Sequence, residues 1–367
     1  MRLNRRQALI GASASLALPW ARPSYASPGS VNVYNWADYI GETTIEDFAS
    51  ETGIDIVYDL YASAEDMEAK MLAGSSGYDV VLQSGLGLHR LVAANLYQKI
   101  DRARLQGWDT LNPEILKILQ GFDPENSHGV PYTWGTVGFT FNVPLVRERL
   151  PDVDLTTLDA VFLPENAAKL ADCGISLLDS PTDIGFMVMR WLGLDADAGT
   201  PETYAQMAEA FARIREHVTT FDNTNFLTSL PNQEICVANT WSGDYAVAKA
   251  RAAEAGIEVD LVYHVPKTGA PAWFDLWAIP ADAANVDNAY TFLNYMLRPE
   301  AIAELTNSVF FANANRAAGE LVDAAITGDP DIYPPAEVRA RLFSEQLLPL
   351  RQQRERTRIW TTFRSQY

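Results

Sequence analysis

The length and charge of the chain bound its class: it has 367 residues, with 47 Asp and Glu against 28 Lys and Arg, and a formal net charge of −19. A negative field repels nucleic acid and anionic lipid headgroups and attracts cations, so no nucleic-acid partner is expected. The acidic composition can also serve solubility alone. One hydrophobic core stops growing at roughly 250 to 300 residues, so a chain of this length is expected to form two domains.

The N-terminal segment has the features of an export signal. Residues 1–26 carry four arginines and no acidic residue, contain the apolar run ALIGASASLALPW, and end in Ser24-Tyr25-Ala26, which suits a signal peptidase. The apolar run is shorter than the roughly 20 residues that span a bilayer. We therefore predict a signal peptide over 1–26 and a soluble, extracytoplasmic mature protein. Residues 4–10 also resemble a twin-arginine signal, and the general secretory route remains the alternative.

After this signal, strand-like and helix-like segments alternate in two series. The first series runs from residue 31 to about residue 96 as VNVYNW, TIEDFASETG, IDIVYDLYAS, AEDMEAKMLAGSSG, YDVVLQS and LHRLVAANL. The second series begins with the strand-like GTVGFTFN at 135–142. Two extended segments, 130–136 and 269–280, predict crossings by which the chain leaves a first lobe and returns to it. Such alternation indicates a mostly parallel sheet with helices on both faces, an α/β fold.

The C-terminal segment RQQRERTRIWTTFR allows two interpretations. Its arginines would suit an anionic partner. Ile359, Trp360 and Phe363, however, indicate a helix that docks on the core, and we favour this second interpretation.

Three tryptophans each precede an aspartate by two or three positions. The groups are Trp36 with Asp38, Trp241 with Asp244, and Trp273 with Asp275. Residues two apart on a strand share a face, and residues three apart at a helix start do likewise, so each group can present an indole and a carboxylate together. A ring face attracts a cation, and a carboxylate accepts a charge-assisted hydrogen bond from an ammonium. Several such groups around a cleft would suit a methylene chain with an ammonium at each end; core packing with surface aspartates is the alternative.

The sequence gives little support to metal binding or catalysis. Cys173 and Cys236 enter an oxidising compartment, where an even count favours a disulfide and a pair of free buried thiols is the alternative. The four histidines are scattered without ligand spacing, so no metal and no other cofactor is expected. A secreted hydrolase would have to use a carboxylate pair such as Asp38 and Asp275, and no G-x-S-x-G or H-E-x-x-H motif is present. We predict that the protein is not an enzyme.

Ordered matches over about residues 31 to 367 reveal a family resemblance. The matching stretches are VNVYNWADYI, ETGIDIVYD, MLAGSSGYDVVLQS, VPYTWGTVGFTFN, ADCGISLLDSP, NQEICVANTWSGD, AWFDLWAIPADA, FLNYMLRP, FFANANRAA and IYPPAEVRARLF. In these stretches the chain resembles the periplasmic polyamine-binding proteins, the putrescine and spermidine receptors of ABC importers. The resemblance implies the type II periplasmic binding protein fold, in which two doubly wound α/β lobes are joined by hinge strands and close around a ligand. We expect an N-terminal lobe over 27–134 and 275–317 and a C-terminal lobe over 135–274 and 318–367.

The resemblance also implies a set of ligand-binding residues. Carried over position by position, they are Trp36, Asp38, Tyr39, Ser84, Asp183, Trp241, Asp244, Trp273, Asp275, Phe311 and Glu345. Trp36 and Tyr39 would form part of an aromatic box, and Asp38 would add negative charge at the cleft. Asp183 would meet one amine of the ligand. Cys173 and Cys236 match a disulfide of the family.

Departures from the family pattern leave the exact ligand open. Three positions lack hydroxyl groups that the family carries: Ala37, Leu86 and Phe311. Fewer hydroxyls mean fewer hydrogen bonds to an amine. Trp273 and Glu345 favour a longer polyamine such as spermidine. Asp38 is instead the putrescine-type residue, and Ser180 lacks the extra acid that spermidine receptors show nearby.

The function predicted from the sequence is therefore capture of putrescine, spermidine or both in the periplasm and delivery to the membrane permease of an ABC importer. We expect a monomer. The same fold binding agmatine or cadaverine, or a receptor that signals to a membrane sensor, remains an alternative at this point.

Overall fold

The computed structural model describes residues 29–37, 39–61, 63–196, 199–344 and 348–365. The predicted signal peptide lies outside these residues, as do two predicted site residues, Asp38 and Glu345. Ten strands run through the described residues: β1 Ser30–Trp36, β2 Asp55–Tyr61, β3 Val80–Ser84, β4 Gly129–Asn142, β5 Ile175–Leu177, β6 Thr220–Phe221, β7 Val237–Trp241, β8 Leu261–His264, β9 Ala272–Ala278 and β10 Ala312–Asn313.

Helices occupy most of the connections between these strands. Within the described residues the α-helices are α1 Thr44–Thr52, α2 Ala64–Leu72, α3 Gly85–Ala93, α4 Pro113–Leu119, α5 Val143–Arg149, α6 Asp159–Phe162, α7 Pro164–Leu170, α8 Pro181–Trp191, α9 Pro201–Ile214, α10 Phe226–Ser229, α11 Ser242–Glu254, α12 Val286–Met296, α13 Pro299–Val309, α14 Ala324–Thr327, α15 Ala336–Arg339 and α16 Leu350–Ser365. None of these described helices combines the length and apolar character that a membrane crossing requires.

The long strand β4 links two halves of one sheet. The strand order is β2-β1-β3-β9-β4-β7-β5-β6, and β8 and β10 also pair with β4. Residues 129–136 of β4 pair with β9, whereas residues 137–142 pair with β7 and β8. All 14 residues of β4 are buried, as expected of a strand that runs through the centre of the molecule. We call the half with β1, β2, β3, β9 and β10 the first lobe, and the half with β5, β6, β7 and β8 the second lobe.

The sheet is mixed, so the prediction of a mostly parallel sheet is only partly correct. The outer strands are parallel, with β1 beside β2 and β3 in the first lobe and β5 beside β6 and β7 in the second. The pairings of β9 with β3 and β4, and of β4 with β7 and β8, are antiparallel. The reason is topological: β4 carries the chain out of the first lobe and β9 carries it back, so they run in opposite directions. Helical crossovers impose parallel pairing only on the outer strands.

Two predictions about the second lobe are confirmed. Cys173 and Cys236 form a disulfide, which ties the start of β5 to the start of β7. The C-terminal segment forms helix α16, in which Trp360 and Phe363 are buried. The Phe363 ring stacks on Phe211 of α9, with 4.7 Å between ring centres. The apolar side of α16 therefore belongs to the core, as the pattern of apolar residues predicted.

Candidate functional site

Asp275, in the middle of β9, is the central acid of the first lobe. Its strand register places it beside Ser84 of β3 and Thr133 of β4. The Tyr39 hydroxyl donates a hydrogen bond to Asp275 Oδ2 at 3.0 Å and also contacts Thr133 Oγ1. Burial raises the pKa of Asp275 to about 6, and the hydrogen bond from Tyr39 opposes this only in part. The tyrosine thus holds the carboxylate in place without neutralising its charge.

Three aromatic rings lie beside this carboxylate. Trp273, two residues before Asp275 on β9, contacts Phe311 edge to face, with 4.9 Å between ring centres and an angle of 88°. Phe311 in turn lies 6.0 Å from the Tyr39 ring at 83°. The Trp273 indole packs directly against the backbone of Gly135 in β4. A Cβ at position 135 would stand 2.5 Å from Trp273 Cζ2, so there is no space for a side chain there. The Trp273 Nε1–H is buried and has no hydrogen-bond partner among the described residues.

Trp36 lies at the end of β1, next to this cluster rather than inside it. Its ring centre is 4.4 Å from that of Tyr61 on β2. Burial is the main cause of the raised pKa of Tyr61, and the charge of the Asp275 carboxylate adds to it. The described ring contacts of Tyr39 are with Phe311 and a tyrosine of β4. A direct pairing of Trp36 with Tyr39 remains a prediction.

Two predicted site carboxylates of the second lobe lie at the starts of helices. Asp183 lies in the first turn of α8, and its N–H donates to the Oγ of the N-cap residue Ser180 at 3.2 Å. Asp244 lies in the first turn of α11. Burial chiefly raises the pKa of Tyr263, and the charges of Asp331, Asp244 and Asp183 add to this effect. The Tyr263 hydroxyl is 2.8 Å from Thr136 Oγ1 in β4, so these carboxylates influence a tyrosine that contacts the strand joining the lobes.

Asp244 is the acid with the least compensation. Burial raises its pKa to about 7, and the charge of Arg251 lowers the pKa by a smaller amount. The start of a helix favours negative charge, but the raised pKa means that the cost of desolvation exceeds this benefit. Neither Asp244 nor Asp275 forms an ion pair with a lysine or arginine that the structure describes. The described residues also contain no group of His, Cys, Asp or Glu side chains able to hold a metal ion.

Ser84 and Trp241 occupy strand ends that border this region. Ser84 ends β3 and caps α3, and its Oγ accepts a hydrogen bond from the Gly87 N–H at 3.3 Å. The Ser84 hydroxyl proton is therefore available for a second hydrogen bond. Trp241 ends β7, where it pairs with Val137 of β4 and is half-buried. Both residues stand at carboxyl ends of strands, where open α/β sheets bind ligands.

Sequence reasoning missed Thr133. The segment VPYTWGT was recognised as a crossing, but nothing in its pattern distinguishes a threonine that contacts Tyr39 and pairs with Asp275 from any other buried threonine. The pairing joins residues 142 positions apart in the chain, so it depends on the register of β4 against β9. Strand register is set by tertiary packing, which no local motif reveals here.

The fold is that of a two-lobe solute-binding protein. The structure resembles the crystal structure of the spermidine/putrescine ABC transporter substrate-binding protein PotD of Streptococcus pneumoniae, with a TM-score of 0.80. The match covers 91% of this chain and 98% of that chain at 24% sequence identity, so it shows the fold alone. The predicted type II periplasmic binding protein fold, with two α/β lobes, is confirmed.

Sequence comparison then defines the family. The profile described as bacterial extracellular solute-binding protein matches residues 43–334, and the chain belongs to this family. It is 44% identical over 336 residues to the putrescine-binding periplasmic protein SpuD of Pseudomonas aeruginosa, across 91% of this chain and 92% of that protein. It is 41% identical over 342 residues to the putrescine-binding periplasmic protein PotF of Escherichia coli, across 93% of this chain and 92% of that protein.

Proposed function

We propose that this chain is a periplasmic receptor that captures a polyamine, putrescine and/or spermidine, between its lobes and delivers it to the membrane permease of an ABC importer. The proposed N-terminal lobe comprises residues 27–134 and 275–317, and the proposed C-terminal lobe comprises residues 135–274 and 318–367. Closure of the lobes would bury the ligand and strengthen each ionic contact by excluding water.

The observation that carries this proposal is the lack of counter-charge at Asp244 and Asp275. Each carboxylate is partly buried, each has a raised pKa, and neither has a cationic partner among the described residues. Burial of an unpaired carboxylate is unfavourable, and an ammonium removes that cost by donating a charge-assisted hydrogen bond to the carboxylate. One acid belongs to each lobe. A ligand with an ammonium at each end therefore binds best when the lobes are closed.

The rings supply the apolar part of the proposed site. Trp273, Phe311 and Tyr39 lie in edge-to-face contact beside Asp275, so they present apolar surface next to the charge. Such surface covers the methylene groups of a polyamine, and a ring face attracts its ammonium by about 0.5 to 2 kcal/mol. A simple metal cation has no methylene groups for the rings to cover, so the rings favour an organic amine.

The relatives support the same class of ligand and the same location. SpuD and PotF carry names that describe them as putrescine-binding periplasmic proteins. We propose that this chain reaches the periplasm through the signal peptide predicted over 1–26, with the twin-arginine route as one possibility, and acts there as a monomer. Because its relatives are transport proteins, we also propose that it binds its ligand without chemical change.

A calorimetric titration tests this function. The mature protein is unfolded and refolded to remove carried-over ligand, then titrated with putrescine, cadaverine, agmatine, spermidine and spermine. We expect micromolar or tighter binding of putrescine, spermidine or both, and mass spectrometry should recover the amine unchanged. Binding of agmatine or cadaverine alone would assign a related amine, and the absence of binding to the whole panel would overturn the proposal.

A matched control separates the site from general electrostatic attraction. Asp287 carries a side chain that is 96% exposed. The substitution Asp287→Asn removes the same charge as Asp275→Asn but at the surface, where an ion pair contributes little. The control should bind polyamine as the parent protein does, and an equal loss in both variants would mean that net charge rather than a site attracts the amine.

A further inference from the structure

Phe311 and Gly243 meet across the junction of the two lobes. Phe311 directly precedes β10, which pairs with the first-lobe part of β4. Gly243 lies in the first turn of α11, directly after the second-lobe strand β7. A Cβ placed on Gly243 would stand 2.1 Å from Cδ1 and 2.2 Å from Cε1 of Phe311. The phenyl ring therefore occupies the space that any side chain at position 243 would need.

The backbone conformation at Gly243 does not require glycine. Its φ lies outside the left-handed range in which side chains are strained, unlike that of Gly256 just beyond the same helix. Alanine in place of glycine inside a helix is normally favourable by roughly 0.5 to 1 kcal/mol. The absence of a side chain at Gly243 therefore allows Phe311 to approach, and the helix itself does not require it.

Neither side of the contact can move away at low cost. The Phe311 ring is held by edge-to-face contacts with Trp273 and Tyr39, and Tyr39 is held in turn by its hydrogen bond to Asp275. On the other side, the Ser242 Oγ accepts a hydrogen bond from a backbone N–H of β4 at 3.3 Å, which fixes the start of α11. A larger residue at 243 would have to separate the lobes or break one of these contacts.

We propose that Phe311 and Gly243 form a closure latch. In this latch the Phe311 ring of the first lobe packs on the backbone of Gly243, at the start of α11 in the second lobe, only when the lobes are closed. This inference rests on the proposed function, because it makes Gly243 a determinant of ligand affinity that does not itself contact ligand. The latch couples the ring cluster beside Asp275 to the helix that carries Asp244. Closing the lobes over a diamine thus brings the two acids and the latch into place together.

Gly243→Ala tests the latch, with Gly319→Ala as its control. A Cβ at Gly319 meets no atom within 4 Å, and Gly319 also lacks a left-handed φ, so the control adds the same methyl group in open space. Overpacking at Gly243 should raise the dissociation constant for polyamine about tenfold or more. Gly319→Ala should leave it unchanged. Small-angle scattering at saturating ligand should show less compaction for Gly243→Ala than for the parent protein.

A double-mutant cycle with Phe311→Ala makes the test specific. Removing the ring vacates the space, so Gly243→Ala should change the dissociation constant less than about threefold in the Phe311→Ala background. Equal effects of Gly243→Ala in both backgrounds, or no effect in the parent protein, would overturn the latch. Unaltered far-ultraviolet circular dichroism will exclude misfolding as the cause.

The same cycle can be measured without ligand, so failure of the latch and failure of the proposed function are distinguishable. In the structure the Phe311 ring fills the space beside Gly243 and joins the two lobes, so Gly243→Ala should lower the urea midpoint of unfolding more in the parent background than in Phe311→Ala. If no amine binds while this midpoint coupling is found, the polyamine proposal fails, and the contact between Phe311 and Gly243 stands as a link between the lobes. If amines bind and neither measurement shows coupling, the latch fails alone.

Discussion

Asp244→Asn should make the ligand-free protein more stable while it weakens binding. In the folded protein, burial raises the pKa of Asp244 from the ordinary aspartate value of 3.8 to about 7. The two pKa values differ by about three, and each pKa unit corresponds to about 1.4 kcal/mol. This difference sets an upper bound of about 4 kcal/mol for the cost of ionising this carboxylate in the folded state. Because the side chain is partly exposed and solvent screens it, we expect about 1 to 3 kcal/mol. Asparagine is neutral and avoids this cost.

The pH dependence gives the effect a definite sign. The pKa of Asp244 is higher in the folded than in the unfolded state, so the folded state binds more protons between pH 4 and pH 7. The contribution of Asp244 to stability is therefore fully present below pH 4 and is lost as the pH rises through 7. Urea unfolding of the ligand-free proteins should therefore show Asp244→Asn to be more stable than the parent at pH 8, with a smaller difference at pH 5. The same variant should lose about 2 to 5 kcal/mol of polyamine affinity, because an ammonium loses its counter-charge.

An aspartate whose pKa is shifted in the opposite direction provides a control for this test. Asp172 is exposed, and its hydrogen bond and ion pair with Arg149 lower its pKa below the usual value. Asp172→Asn should therefore give no gain in stability at pH 8. If Asp244→Asn is no more stable than the parent protein at pH 8, or if its gain is equally large at pH 4, the reasoning from unpaired burial is wrong.

Further expectations concern the first-lobe acid, the indole and the disulfide. Asp275→Asn should weaken putrescine binding by roughly 2 to 5 kcal/mol in calorimetry, and an unchanged dissociation constant would remove Asp275 from the site. Trp273→Phe should weaken spermidine more than putrescine because the larger indole covers more of a longer chain; equal losses for the two amines would contradict this role. Reduction of the disulfide between Cys173 and Cys236 should cost about 2 to 5 kcal/mol of unfolding free energy. The urea midpoint with and without dithiothreitol measures this cost, and identical midpoints would show that the disulfide does not stabilise the fold.

The sequence predicts the architecture well where a pattern is local. Alternating strands and helices in two series, with two extended crossings, indicate two lobes, and the crossings at 130–136 and 269–280 fall on β4 and β9. The direction of the central pairings was not predicted correctly. Alternation of elements indicates parallel strands, whereas a chain that leaves a lobe and returns to it must bring β9 back antiparallel to β4.

Less of the site can be predicted from the sequence, because the site depends on contacts between residues that are far apart in the chain. The pairs Trp273 with Asp275 and Trp241 with Asp244 could be recognised by spacing, since two or three residues decide which face a side chain takes. That Asp244 has no ion-pair partner among the residues the structure describes, and that Thr133 contacts Tyr39, depends on contacts between separate elements. The same holds for Gly243, whose only signal in the sequence is a glycine inside a helix.

The most direct test of the central claim is a calorimetric titration of putrescine at pH 7 in two buffers with different enthalpies of ionisation. Because burial raises the pKa of Asp244 to about 7 and that of Asp275 to about 6, these carboxyl groups are in part protonated at neutral pH before the ligand binds. Binding of an ammonium should lower both pKa values and release protons, so the heats in the two buffers should differ in the direction of proton release. Binding whose heat is the same in both buffers, or no binding of putrescine, spermidine or their analogues, would contradict the claim that unpaired carboxylates in the two lobes hold a cationic amine.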